Sequence, residues 1–503
     1  MNPEMLEALD YPDLLELLRG ETVTPAGAAA AVALRPALDV ERVTRDHRLT
    51  AEMEDHLNRA GSLPFGTVPD VQPLLQRLDV AASLLAPLEL LDLLALMRSG
   101  RAVKAALMEG RRETPLLASR GRDLPDLGNL ARYLEGKIST TGEMEDLASD
   151  RLRQVRQEIA ARSSRLKGVL DDIVARPEVA HALQDDFVSI RHDRHVVPIR
   201  NEARGALPGI VHGVSGTGAT VYIEPFETVD LNNEIVTLRD REAHEIRRLL
   251  QEFSDLLRGR LAELKALLTE LGDLDLLSAK ARLGRRLGAR LASIAGDGSI
   301  DLRAARHPLV EASLRAAGGA IVPLHLSIPA ATRGLVVSGP NTGGKTVVLK
   351  TLGLFALMHQ SGLALPCDEA ALPVFRGLYI DIGDRQSIAD QISTFSGRVN
   401  AIAAIDRDLR LPALVLLDEV GTGTDPEEGA ALGISIVDHF LQRGATVVAT
   451  THLEALKAHA ATTEGCANAA MEVDEASFRP TFRLRQGIPG RSAGLEIAAR
   501  LGL

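Results

Sequence analysis

Two proline-free stretches of the chain carry apolar residues at spacings of three and four. In the first, between Pro125 and Pro177, Leu152, Val155, Ile159, Leu166, Val169 and Ile173 recur at those spacings or their sums. In the second, between Pro225 and Pro308, Ile246, Leu249, Phe253, Leu256, Leu264, Leu267 and Leu271 do the same. Such spacing places each set on one stripe of a helix, with charged residues on the other faces. The two helices are expected to pair as antiparallel coiled-coil arms of about 35 residues, roughly 50 Å long at about 1.5 Å per residue. Between them the texture changes. Residues 187–190 and 196–199 flank a polar run from Arg191 to His195, and 209–212 and 219–223 flank a run from Gly213 to Gly218. Both pairs read as short strands around turns, which predicts a small β tip at 186–225 within an arm region at 126–299. Residues 1–125 are Leu-rich and read as a helical core bracing the base of the arms. From residue 300 to 503, apolar runs at Gly334–Ser338, Ala413–Leu417 and 445–449 alternate with helical stretches. That is the rhythm of a buried, largely parallel sheet in an α/β domain.

Composition narrows this picture. At roughly 150 residues per domain, 503 residues suggest about three domains. The balance of 57 basic against 68 acidic residues gives −11, so the chain as a whole is not a basic nucleic-acid-binding domain. The arm region 151–260 carries 17 basic and 17 acidic residues and is no basic stripe. Within the tip, the segment 187–204 is locally positive: Arg191, Arg194, Arg200 and Arg204 stand against Asp193 and Glu202. They are candidate nucleic-acid contacts, with His192 and His195 adding charge below about pH 6.5. The bland alternative is that these arginines solvate an exposed hairpin or pair with neighbouring acids. Aromatics are 3% with no Trp, so the core must be aliphatic. Cys367 and Cys466 lie far apart and form no metal spacing. Acids among the first apolar residues (Glu4, Glu7, Asp10) argue against a signal peptide. The most apolar run, from Leu84 to Met97, is broken by Pro87, Glu89 and Asp92 and is too short to span a bilayer. The expectation is a soluble cytoplasmic protein with no membrane partner.

The chemistry is concentrated after residue 330. Gly339-Pro340-Asn341-Thr342-Gly343-Gly344-Lys345-Thr346 fits the P-loop pattern in full, after an expected strand and before an expected helix. Its glycines let backbone N–H groups wrap phosphates, and the helix N-terminus adds a favourable dipole. Lys345 is expected at the β- and γ-phosphates of ATP and Thr346 on Mg²⁺. The strand Ala413–Leu417 ends in Asp418-Glu419. Asp418 is expected to hold the Mg²⁺, directly or through water, and Glu419 to polarise the attacking water as general base. A second strand ends at Thr451-His452; such a His is usually structural, but in this order His452 reads as a γ-phosphate sensor. Ser393-Thr394-Phe395-Ser396-Gly397 lies between the two motifs and by composition alone is a helix start with a Ser or Thr cap.

Taken together, these residues resemble the MutS family of ATPases. The likeness rests on Arg306-His307-Pro308-Leu309, on 339–346, on Ser393-Thr394-Phe395-Ser396, on Asp418-Glu419-Val420-Gly421-Thr422-Gly423-Thr424, on Thr451-His452 and on a late loop at 485–494. Upstream, His195-Val196-Val197-Pro198-Ile199, Tyr222-Ile223-Glu224-Pro225 and Leu231-Asn232-Asn233-Glu234 resemble the second bacterial branch, which lacks the mismatch-reading domain. The resemblance implies an ABC-type P-loop ATPase domain preceded by a mainly α-helical lever with coiled-coil arms and a small β clamp tip. It implies a homodimer in which Ser393, Thr394, Ser396 and Gly397 of one chain face the γ-phosphate bound to the other. It also implies a clamp on branched DNA and recombination intermediates, or on stalled and collided ribosomes. Members of this branch usually continue into a small Smr nuclease domain. No Asp-Leu-His-Gly element of that domain occurs here, so either the chain is a fragment, the favoured reading, or the nuclease is absent; no nuclease activity is expected from this chain itself. Mismatch-repair relatives place a Phe against the adenine before the P-loop. Here the comparable residues are Ala320-Ile321-Val322-Pro323, so the platform is aliphatic or lies elsewhere. Two other classes fit the sequence less well. A transporter-type ABC subunit is disfavoured by arms upstream of the P-loop. An SMC-like chromosome protein is disfavoured because its arms would interrupt the stretch between P-loop and acidic strand.

Overall fold

The computed structural model describes residues 2–184, 188–382, 394–474 and 479–488. Contacts divide it into two compact units. One comprises Gly66–Arg101 and Pro125–Leu267, the other Met1–Phe65, Ala102–Leu124 and Leu268–Leu503. These units cut across the three segments expected from the pattern. Residues of the N-terminal helices join the same body as the P-loop through contacts more than 300 positions apart, such as His47 with His359.

In the first unit, helix Asp150–Val174 packs against helix Val229–Arg258. Ion pairs fix an antiparallel sense: Arg151 meets Glu245, Arg156 meets Glu242 and Arg162 meets Glu234. Leu152, Val155, Leu166 and Ile173 of the expected stripe are buried, joined by Leu170, while Ile159 and Val169 are half-buried. The second stripe does not form one continuous helix. It ends at Arg258 and restarts at Leu261, and Leu256 is 41% exposed. Gly259 stands at the break, where its low helix propensity makes interruption inexpensive.

Four antiparallel strands lie between the long helices: β1 (Ser189–Arg191), β2 (Arg194–Arg200), β3 (Gly209–Val214) and β4 (Thr220–Pro225). Their order is β1-β2-β4-β3. His192 and Asp193, both with positive φ (50° and 61°), form the two-residue turn of the first hairpin. Val197, Ile199, Val221 and Ile223 pack with Leu166, Leu170, Ile173 and Ile235 of the two helices. Each such buried aliphatic side chain stabilises the tip by roughly 1.5–3 kcal/mol.

In the second unit, β5 (Ser293–Ile294), β6 (Ile300–Ala305), β7 (Leu324–Ile328) and β9 (Glu369–Leu372) form one sheet, ordered β5-β9-β6-β7. The larger sheet contains β8 (Gly334–Ser338), β10 (Gly377–Asp381), β11 (Ala413–Leu417), β12 (Thr446–Thr451), β13 (Cys466–Val473) and β14 (Pro480–Gln486). Its order is β10-β11-β12-β8-β13-β14, parallel except for β14. Strands β8 and β11 are buried throughout, which explains their unbroken apolar runs. Helix Lys345–Gln360 follows β8 and is itself largely buried. The carbonyls at its C-terminal end are all taken: His47 Nε2 donates to His359 O (2.8 Å), Ala37 N to Gln360 O (2.8 Å), Lys280 Nζ to Ser361 O (2.6 Å) and Thr50 Oγ1 to Gly362 O (2.8 Å). A helix end buried in this way needs such partners, and they anchor the element that carries the P-loop.

Candidate functional site

The parallel order brings the C-terminal ends of β8, β11 and β12 side by side. Loops that leave those ends share one edge, where α/β sheets bind ligands. From β8 the chain passes through Gly339 and Pro340 into a short turn, Asn341–Gly343, which contains Thr342. It then reaches Gly344, whose φ of 93° is the left-handed region that a side chain would strain. Lys345 opens the helix. Its side chain is 2% exposed and folds back so that Nζ donates to the Gly339 carbonyl at 2.7 Å. Burial lowers its pKa from the ordinary lysine value; Glu419 and Asp418 pull the other way, and Lys457 adds to the lowering.

Thr346 donates its hydroxyl to Asp418 Oδ2 at 2.7 Å. Asp418, 8% exposed, also accepts from the hydroxyl of Thr450 on β12. The same Thr450 oxygen accepts the Glu419 backbone N–H at 2.8 Å. Glu419 itself has φ 48°, an uncommon conformation for a residue with a side chain that costs roughly 1–2 kcal/mol. The turn after it is held by Thr422, whose hydroxyl donates to Glu419 O at 2.8 Å, and by Gly421. An added Cβ on Gly421 would stand 2.2 Å from Gly429 O, at a φ of 83°. The structure thus joins Lys345, Thr346, Asp418 and Glu419, residues separated by more than seventy positions. A hydroxyl and a carboxylate in contact are hard oxygen donors of the kind Mg²⁺ takes alongside phosphate oxygens and water, so Thr346 and Asp418 suit that ion.

The other expected residues stand differently. His452 is exposed and follows directly on β12. Ser393 lies outside the described residues, as do the side chains of Asn341, Thr394 and Ser396. Gly397 is described: an added Cβ there would meet nothing within 4 Å, so packing within the chain does not require a glycine.

Two residues near the P-loop escaped the sequence reading. Lys457 is 3% exposed and close enough to Lys345 to influence its charge; in sequence it reads as an ordinary helical lysine. Phe482 on β14 is 49% exposed with φ 59°, and its ring edge would lie 3.4 Å from a Cβ on Gly344. A large half-exposed aromatic beside the P-loop is a signal only in three dimensions, because in sequence it alternates with Leu484 as any strand residue does.

At the tip, Arg191 is exposed and its guanidinium lies 4.3 Å from the centre of the Tyr222 ring. Arg200 and Arg204 are exposed. Arg194 is not free to bind a ligand: it donates to the fully buried Glu224 at 2.7 Å and to Asn233. Glu224 also meets His212 Nε2 and, at 2.8 Å, Asn232 Nδ2. His195 takes up its charge only at a lower pH than an ordinary histidine. Burial, with Arg239 nearby, lowers its pKa, while Asn232 opposes the shift.

Residues 335–503 match the family described as MutS domain V. The chain belongs to the MutS family. Across nearly its full length it is similar to proteins named endonuclease MutS2. The relative from Shouchella clausii is 38% identical over 500 residues, covering 98% of this chain and 63% of that protein. The one from Brevibacillus brevis is 38% identical over 506 residues (100% and 64%), and the one from Pelotomaculum thermopropionicum 39% over 504 residues (100% and 63%). The chain therefore spans somewhat less than two thirds of these curated relatives. In MutS terms, domain V begins within β8 and contains the P-loop and the Asp418-Glu419 turn. Among the described residues, no helix is long and apolar enough to cross a membrane.

Proposed function

We propose that this chain is the ATP-hydrolysing part of a MutS-type nucleic-acid clamp. The reading is carried by one observation: Thr346 and Asp418 are in contact, with Lys345 and Glu419 in charge range of each other at the same sheet edge. ATP with Mg²⁺ would sit with its phosphates on the backbone N–H groups of 339–346. Mg²⁺, held by Thr346 and Asp418, would offset phosphate charge when bound. Lys345 would turn from Gly339 O to the phosphates, Glu419 would take a proton from the attacking water, and His452 would read the γ-phosphate. We assign the adenine platform to Phe482.

In the same proposal, two chains form a homodimer in which Ser393, Thr394, Ser396 and Gly397 of each chain complete the other's site. The open space at Gly397 supports this, because a small residue there leaves room for an outside group. The helices Asp150–Val174 and Val229–Arg258 act as lever arms, and the β sheet acts as a clamp tip touching phosphates through Arg191, Arg200 and Arg204. Segment roles of core (1–125), lever and tip (126–299) and ATPase (300–503) belong to the same reading. Relatives are named endonucleases; we assign ATP hydrolysis and the grip on branched DNA or on ribosomes to these residues, and not cleavage. The test is ATP turnover by the wild type and by Lys345→Ala, each alone and with duplex DNA, branched DNA and ribosomes. Turnover that Lys345→Ala does not abolish would defeat the reading; stimulation by one ligand alone would name the target.

A further inference from the structure

The helix Thr394–Asp408 contains Gly397 and, next to it, a half-buried arginine with an unexpected reach. Arg398 Nη1 donates to the Glu419 carbonyl at 3.3 Å and to the Thr422 hydroxyl. That carbonyl already accepts from the Thr422 hydroxyl (2.8 Å) and the Thr422 N–H (3.3 Å). On its other side, the Glu419 N–H is held by Thr450 Oγ1 and the Val420 N–H by Thr450 O (3.1 Å). Every one of these bonds except that of Arg398 comes from the acidic turn itself or from neighbouring β12. Arg398 supplies hydrogen bonds that tie the turn to the helix that begins at 394.

The turn needs holding. Glu419 is in the left-handed region, where a residue with a side chain persists only if its surroundings enforce it. The carbonyl that Arg398 grips belongs to the same residue as the carboxylate, so its position sets the direction of the Cα–Cβ bond. A charged donor makes a stronger hydrogen bond than a neutral one. Thr422 relays a second contact from the same guanidinium to the same carbonyl.

We propose that Arg398 is a positioning residue for Glu419 of its own chain, holding the turn in the geometry from which the carboxylate accepts a proton from water. This rests on the ATPase reading above and extends it. If the segment at 393–397 faces the partner's nucleotide, Arg398 connects that contact to the base of its own chain, so the two sites of a dimer are joined by one side chain.

The experiment compares the wild type, Glu419→Gln, Arg398→Gln, Arg398→Lys and the double variant Arg398→Gln/Glu419→Gln. Three quantities are measured on the full chain: ATP affinity by displacement of a fluorescent nucleotide, hydrolysis in a single turnover with protein in excess, and melting temperature. Arg398→Gln should slow the single turnover at least tenfold while leaving ATP affinity within twofold and melting within a few degrees. Arg398→Lys should recover part of the rate. The double variant should be no slower than Glu419→Gln, because a base that is absent cannot be misplaced. Thr422→Val, which removes the shared hydroxyl, should slow the step in the same sense, and it carries the test if Arg398→Gln does not fold. A wild-type rate in Arg398→Gln, or in Thr422→Val when it stands in, overturns the proposal. So does a tenfold loss of ATP affinity with an unchanged rate at saturation, which would mean direct contact with phosphate. If Glu419→Gln itself turns over normally, the general-base reading fails first and Arg398 has no base to position. If Glu419→Gln is blocked and Arg398→Gln is not, only the present inference fails.

Discussion

Lys345 and Glu419 lie within electrostatic reach of each other; the proposed function gives them opposite tasks, and substitution separates them. Lys345→Ala removes the cation that balances phosphate charge, and nucleotide binding should fall below detection. Glu419→Gln keeps the shape of the side chain and removes the base, so ATP should bind with near wild-type affinity while turnover drops at least a hundredfold. Equilibrium binding and steady-state hydrolysis on the same samples distinguish the two. Phe482 gives a second residue-scale prediction. If its ring stacks on adenine, Phe482→Ala should cost about 1–3 kcal/mol of binding, on the order of a tenfold rise in Kd. Substitution by Tyr should cost little. Equal affinity of wild type and Phe482→Ala would place the base elsewhere, with Ile321 and Val322 the next candidates. The placement of Lys345 and Thr346 at the start of the helix after β8 was legible from spacing alone, because a strand–loop–helix is a local backbone device. Phe482 and Arg398 were not, because each acts on residues that are distant in sequence, Phe482 beside Gly344 and Arg398 on Glu419.

Among the elements, the tip is where tertiary contact changed the reading most. Composition presented four arginines as a basic patch. In the fold, Arg194 compensates Glu224, a carboxylate with 0% exposure, and belongs to the internal support of the hairpin. Removing one partner of a buried pair leaves the other uncompensated, at about 3–5 kcal/mol. Arg194→Ala, which leaves the buried Glu224 without its arginine, should therefore loosen β2 and β4, seen as faster amide exchange across that ladder. Arg191→Ala, Arg200→Ala and Arg204→Ala should leave exchange untouched. If the tip grips duplex DNA, each of these three should lower the slope of log affinity against log salt by about one unit, with little change in sequence preference. Unchanged slopes in all three would move the grip away from the tip. The long helices were legible because burial of an apolar stripe follows helical spacing. Their break at Gly259 was not, because the apolar spacing continues across it.

For the whole molecule, stability should depend on acid in a defined window. His307 and His359 are buried, and burial lowers their pKa values to about 4 and about 3. His307 is opposed in this by Asp10 and assisted by Lys350, and His359 is assisted by His47. Unfolded, each would titrate near about 6.5. Below that value the unfolded chain binds protons that the folded chain refuses, so stability should fall as pH drops from about 6.5 towards 4. The loss should amount to several kcal/mol over that range, at about 1.4 kcal/mol per pH unit for each proton of difference. Urea melts at pH 7, 6, 5 and 4 measure it, and His307→Gln should flatten the dependence. A flat profile in the wild type would contradict neutral burial of both rings. Assembly is tested separately. Lys345→Ala chains mixed with Ser396→Arg chains should regain ATP turnover at one composite site, whereas no recovery in confirmed heterodimers would argue against sites shared between chains.

By itself the sequence determined what local chemistry can encode: helices from apolar spacing, strands from unbroken or alternating runs, a glycine loop between strand and helix from glycines at fixed offsets, and an acidic strand end. Each depends on residues within a few positions of one another, and each reappears in the fold, with the second long helix broken at Gly259. Tertiary structure alone decided which of these meet. It brought Thr346 onto Asp418, Thr450 between Asp418 and Glu419, and His47, Thr50 and Lys280 onto the end of the P-loop helix. It also tied Arg194 to the buried Glu224 and carried Arg398 to the Glu419 turn. The physical reason is burial: once a charge or carbonyl leaves water it must find a partner, and in this chain those partners are supplied by other elements, at distances that spacing along the chain does not report.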